Sequence, residues 1–135
     1  MINEIKQAIA QKILELYPEA TIYDEDIPQN FKTPSFLVTL VEQSYGKRLN
    51  NKYKSTATFD IAYFSDKGKN EIKSDCQAVM VNLLRAFDLI DTFRAQNLQT
   101  NITDNVLHLT FNVNYSEIRI DEYPKMQKQI TNTNI

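Results

Sequence analysis

Residues 106–115 alternate without a break. Leu107, Leu109, Phe111, Val113 and Tyr115 carry the apolar or aromatic set, and His108, Thr110, Asn112 and Asn114 stand between them. A period of two puts the first set on one face of an extended strand and the second set on the other. One face is made for a core and the other for water, as in an antiparallel sheet covered on one side. Residues 53–65 repeat the pattern more loosely. Tyr53, Ser55, Ala57, Phe59, Ile61 and Tyr63 share one face, with Thr56, Thr58, Asp60, Ala62 and Phe64 opposite. A third run, Phe36–Glu42, is partly apolar on both sides, which predicts a strand inside the sheet.

Two segments carry the helical period instead. In Asn3–Tyr17, Ile5, Ile9, Ile13 and Leu16 recur at spacings of three and four, and Pro18 forces an end. The face with Lys6, Gln7, Gln11 and Lys12 reads as solvated. From Asn70 or Glu71 to Phe87, the residues Ile72, Cys76, Val79, Met80, Leu83, Leu84 and Phe87 form the strongest helical stripe in the chain. Thr21–Tyr23 is expected as a short edge strand. The proline- and acid-rich stretch after it is expected as an ordered loop pinned to the core by Phe31. Ser44–Gly46 reads as a turn or bulge, and 88–99 as a helix extension or a loop. Asn97–Thr103 reads as a strand before a tight turn at Asp104-Asn105.

Helix, strands, helix, strands is the order of an α+β two-layer sandwich: a mostly antiparallel or mixed sheet with two main helices packed on one face. The 135 residues suit one domain. It is expected over residues 1–123, followed by a weakly ordered tail at 124–135 made of Lys, Gln, Thr and Asn with scattered apolar residues.

Composition narrows the chemistry. Two glycines leave little for a phosphate-cradling loop, and one cysteine excludes an internal disulfide or a cysteine-based metal cage. One histidine excludes the two-histidine zinc motifs. A net charge of -2 excludes a strongly basic DNA binder. No stretch is apolar enough to span a membrane, and the first residues lack the core of a signal peptide. Cys76, inside a helical stripe, is expected to be buried and reduced.

The residues left as candidates are few. Asp24, Glu25 and Asp26 are consecutive acids, and consecutive side chains in a loop diverge rather than converge on a cation. Asp60 and His108 lie on the polar faces of their strands and could meet, but no nucleophile accompanies them. Lys47, Arg48, Lys52 and Lys54, with Tyr45 and Tyr53, form a basic segment. It could touch a phosphate backbone, end a strand in solvent, or meet the acidic segment of another copy head to tail. No cofactor, metal or catalytic residue is assigned, and an interface is expected among Asp24, Glu25, Asp26, Lys47, Arg48, Lys52 and Lys54.

Several stretches also resemble a known family. The opening amphipathic helix is followed by Tyr23-Asp24-Glu25-Asp26-Ile27-Pro28-Gln29-Asn30-Phe31-Lys32-Thr33-Pro34-Ser35-Phe36, then Phe59-Asp60-Ile61-Ala62-Tyr63-Phe64, then Asp104-Asn105-Val106-Leu107-His108-Leu109-Thr110-Phe111. Together they are similar to the tail terminator proteins of tailed bacteriophages and prophages of low-GC Gram-positive bacteria. The resemblance implies a structural protein rather than an enzyme. Its fold would be a sheet packed by helices, assembled as a cyclic homo-oligomer, commonly a hexamer, at the head-proximal end of the tail tube. Such a ring stops tube polymerisation and supports head–tail joining. Its partners would be the tail tube protein and the head–tail connector protein, with possible non-specific contact with DNA in the lumen. It would be made in the bacterial cytoplasm and end in the virion tail. Two alternatives stay open: another connector or adaptor (stopper or minor capsid) protein, and a small enzyme using Asp60 and His108.

Overall fold

The computed structural model describes residues 2–47, 52–87, 89–90 and 93–118, with side chains described for 2–44, 55–87 and 93–115. The elements in chain order are α1 (Ile2–Leu16), β1 (Thr21–Asp24), β2 (Ser35–Lys47), β3 (Lys52–Phe64), α2 (Ile72–Ala86), β4 (Leu89–Ile90), β5 (Phe93–Thr103) and β6 (Val106–Ile118). The strands form a six-stranded sheet in the order β1-β2-β3-β6-β5-β4. β1 pairs parallel with β2, and the other described pairings are antiparallel. This is the expected mixed α+β sandwich. The expected tail at 124–135 lies outside the described residues.

Both helices cover the same face. Ile5, Ala8, Ile9 and Ile13 of α1 and Cys76, Val79 and Leu83 of α2 join Ala57, Phe59, Ile61, Leu107, Leu109, Phe111 and Val113 in one buried cluster. The odd-numbered residues of β3 and β6 therefore point into the core, as their alternation predicts. Phe111 is central to it, with the ring of Phe59 at 6.0 Å and that of Phe87 edge-on at 5.7 Å. Leu16 of α1 and Leu84 of α2 depart from the expected stripes: both are exposed, while Ala8 is buried in α1.

A polar tie fixes the start of α2. Asp75, in the first turn of α2, accepts hydrogen bonds from the Tyr63 hydroxyl (2.7 Å) and from Ser65 Oγ, locking the helix to the end of β3. Burial and then the Asp75 charge raise the Tyr63 pKa. Cys76 is buried, and burial followed by the Asp75 charge raises its thiol pKa, which makes it a core residue rather than a nucleophile. Asp104 and Asn105 take φ of 52° and 63° while Thr103 pairs with Val106. This is the two-residue turn with both central residues left-handed, whose twist suits a hairpin.

The connection from β1 to β2 was expected to reach the core through Phe31. It reaches the other side of the sheet instead. Phe31 packs edge-on against Phe64 at 5.1 Å, and the Lys32 N–H donates to the Tyr23 hydroxyl at 3.0 Å. Phe64 and Tyr23 both stand on the face away from the helices, since in the sheet register Tyr23 lies level with Leu37 and Ala62. One end of that face is thus capped by the chain's own loop.

Two bulges shape the rest. β2 shifts register between Leu40 and Glu42, which turns Glu42 and Ser44 onto the open face opposite Thr58 and Thr56. Ser44–Gly46 therefore lies within a strand, and the irregularity falls at Val41. β5 shifts between Gln96 and Gln99, where Asn97 has a φ of 56°. The strand β5 begins at Phe93, before the expected Asn97, because its first residues pair antiparallel with β4, so Leu89 and Ile90 are strand residues and not the expected helix extension or loop.

Candidate assembly surface

The acidic segment sits where the parallel pairing of β1 and β2 stops. Thr21 N–H donates to the Pro34 carbonyl (3.1 Å) and Glu25 N–H to the Val38 carbonyl (3.0 Å). The ladder would continue with Leu40 N–H donating to the carbonyl of Glu25. Glu25 instead has a φ of 69°, and Asp26 N–H donates to the Asp24 carbonyl at 2.8 Å. This is a γ-turn of the rare hand, a conformation that costs energy in a residue with a side chain. The Glu25 carboxylate then replaces the lost carbonyl: its Oε2 accepts the Leu40 N–H at 2.9 Å.

The same carboxylate, with Asp24, holds Lys6 of α1. Lys6 Nζ donates to Asp24 Oδ1 at 2.9 Å and to Glu25 Oε2. Lys6 is only 14% exposed, so it is a tie between helix and sheet corner rather than part of the expected solvated face. Burial lowers its pKa, and the bonds to Glu25 and Asp24 outweigh this, so the net shift is upward. Glu25 is held below its usual 4.5, first by Lys6 and then by the Leu40 N–H. Asp24 remains 65% exposed and Asp26 is exposed. Three acids against one nearby lysine leave this corner negative.

The basic segment lies at the other end of the sheet. Lys47, Lys52 and Lys54 are strand residues flanking the β2–β3 connection, with Lys47 level with Tyr53 and Lys54 level with Gly46. Arg48 lies outside the described residues. Asp24 is level with Val38, and the length of β2 from Val38 to Lys47 is about 30 Å. Within one subunit the two patches are too far apart to pair.

Asp60 and His108 do meet. His108 Nδ1 lies 3.1 Å from Asp60 Oδ2 and 3.3 Å from Oδ1. The pair lies on the open sheet face beside a ladder of amides and hydroxyls. Thr58 Oγ1 donates to Asn112 Oδ1 at 2.8 Å. Thr56 Oγ1 donates to Asn114 Oδ1 at 2.8 Å, and Asn114 Nδ2 to Gln96 Oε1 at 2.9 Å. A shallow concavity of about 400 Å³ on this face is lined by Glu42, Ser44, Thr56, Thr58, Gln99 and Asn112 among others, and by neither Asp60 nor His108. These contacts are cross-strand pairs that order the face. Among the described residues, no three His, Cys, Asp or Glu side chains gather as a metal set, and no helix is long and apolar enough to cross a membrane.

Sequence reasoning found Asp24, Glu25 and Asp26 but missed Lys6. Nothing in the helical period marks it, because its partners arrive through the tertiary fold. The edge position of β1, by contrast, was expected from the sequence for Thr21–Tyr23, and the sheet order agrees. That strand ends the sheet, and Ile22 directs its N–H and C=O away from β2.

Among the described residues, then, one face of the sheet is closed by the helices, the other is largely polar and capped only at one end by the β1–β2 loop, and acidic and basic residues lie at opposite ends of β2. Residues 4–125 match the family described as phage tail terminator protein, and the chain belongs to that family. No curated protein matches the sequence. The role at family level is structural, in phage tail assembly and head–tail joining. Tail tube and connector proteins are the implied partners, and the virion tail is the implied location.

Proposed function

We propose that this chain closes into a ring, commonly of six subunits, on the head-proximal end of the tail tube, where it stops tube polymerisation and offers its other side to the head connector. Assembly would take place in the host cytoplasm. The family supplies the role, and one geometric observation supports the ring. The acidic corner at Asp24 and Asp26 and the basic segment at Lys47, Lys52 and Lys54 are separated by about 30 Å of β2. Unlike patches at opposite ends of a subunit satisfy each other only between copies, and a head-to-tail contact that repeats and closes makes a ring. Arg48 belongs to the same basic segment in sequence. Glu25 contributes less to such a contact, because its carboxylate already holds Lys6 and Leu40.

Light scattering coupled to size-exclusion chromatography tests the ring, with the full chain alone and beside tail tube protein. A closed cyclic species is expected. A monomer under both conditions would overturn the reading. Reversing Lys52 and Lys54 to Glu should weaken assembly, and Asp26→Lys in the same chain should partly restore it. Loss of DNA retention with rings intact would instead put the basic residues on the lumen.

A further inference from the structure

We infer that the outer edge of β1 is a docking site for an extended segment of a neighbouring copy, and that the segment is Pro124-Lys125-Met126. The inference rests on the reading that this chain assembles with its own copies.

Among the described residues, the edge has a defined set of unused backbone groups. Thr21 and Glu25 turn their N–H groups to β2, so Ile22 and Asp24, on the opposite phase, turn theirs outward. The Asp24 carbonyl is taken by Asp26 N–H. That leaves the N–H and C=O of Ile22 and the N–H of Asp24: two donors and one acceptor. An antiparallel strand with Met126 opposite Ile22 and Pro124 opposite Asp24 presents the complement. Met126 gives an N–H and a C=O, and Pro124 gives a C=O and has no N–H to leave stranded. The proline sits at the one position where the edge has no acceptor to offer.

The side chains fit as well. Directly opposed residues point to the same face, so Met126 would lie on the helix side of the sheet with Ile22. There a groove of about 290 Å³ runs between α1 and β1, lined by Lys6, Gln7, Ala10, Ile22, Asp24 and Val38 among others. A flexible apolar side chain suits a groove with an apolar floor and polar walls. Lys125 and Lys128 carry the charge opposite to the corner of Asp24 and Asp26, while the acids Asp121 and Glu122 lie before the docked residues, beyond the end of β1.

Reach decides that the segment comes from another copy. Ile22 is level with Phe36, Tyr63 and, on β6, Leu107. From that row to Ile118 is about 36 Å along β6, and β6 lies about 14 Å across the sheet from β1. The straight path from Ile118 to Ile22 is therefore about 39 Å. The chain from Ile118 to Met126 spans at most about 29 Å. A subunit cannot fill its own edge.

Two full-length variants test this, Tyr23→Cys and Lys125→Cys, which the register places opposite each other. Mixed under mild oxidation, they should form a disulfide-linked pair at least tenfold more than Lys125→Cys forms with Thr39→Cys. Light scattering on the same samples separates the readings. Rings without the link overturn this inference alone. Linked pairs without rings support it and overturn the ring. Neither species overturns both. A link from Tyr23→Cys to Lys52→Cys instead would give the edge to the basic hairpin and also overturn it. As a second measurement, Met126→Asp in the full chain should weaken self-association about tenfold, and unchanged association would count against the site.

Discussion

The two faces of β6 are made from the same strand and meet opposite fates. Leu107, Leu109, Phe111 and Val113 are buried beneath α1 and α2. His108, Thr110 and Asn112 are half-buried and Asn114 is exposed, and His108, Asn112 and Asn114 are joined to neighbouring strands by side-chain hydrogen bonds. The covered face supplies stability through apolar area removed from water. The open face contributes little to stability by itself, and its ordered amides and hydroxyls stay available to other molecules. A subunit of an assembly needs both: one face to fold on, and further surfaces left to meet its neighbours.

That contrast can be broken by mutation. Phe111→Ala should cost about 3–5 kcal/mol, because it opens a cavity between Phe59 and Phe87. Thr110→Ala, one residue away, should change stability by no more than about 0.5 kcal/mol. Urea unfolding of the two variants measures the difference, and comparable losses would mean that the faces are not distinct.

A smaller effect belongs to the corner, where the partly exposed Lys6–Glu25 tie crosses from the covered side to the sheet edge. Glu25→Gln should cost about 1 kcal/mol at pH 7, the usual scale for a hydrogen-bonded group, reduced here by solvent screening. The pH dependence has a definite sign. A carboxyl with a depressed folded pKa stabilises above its unfolded value near 4.5 and loses that contribution as pH falls through the lower folded value. The wild type should therefore lose stability faster than Glu25→Gln on acidification below about pH 4.5. The raised Lys6 acts at the other end: its contribution persists through neutral pH and is lost only as pH climbs through its folded value, above 10.5. Thermal melts across pH 3–7 provide the check, and parallel curves for the two proteins would remove Glu25 from the tie.

The smallest effect is expected on the open face. His108→Ala removes a partly exposed pair with Asp60 and should cost no more than about 1 kcal/mol. Assembly of this variant should survive, as judged by light scattering. Loss of rings with the fold intact would turn the face from a solvated surface into a contact.

The sequence by itself determined much of this protein. The alternation of β3 and β6, the stripe of α2 and the Asp104-Asn105 turn follow from local rules, because a period of two or of 3.6 settles which residues share a face. The meeting of Asp60 with His108 was legible for the same reason. Tertiary structure alone decided the rest. Lys6 became a tie because α1 crosses the corner of the sheet. Phe31 went to Phe64 because the parallel connection runs over the uncovered face. Val41 and Asn97 became bulges that re-aimed the residues after them. Each of these depends on which strand lies beside which, and no local pattern of residues encodes a neighbour that is distant in the chain.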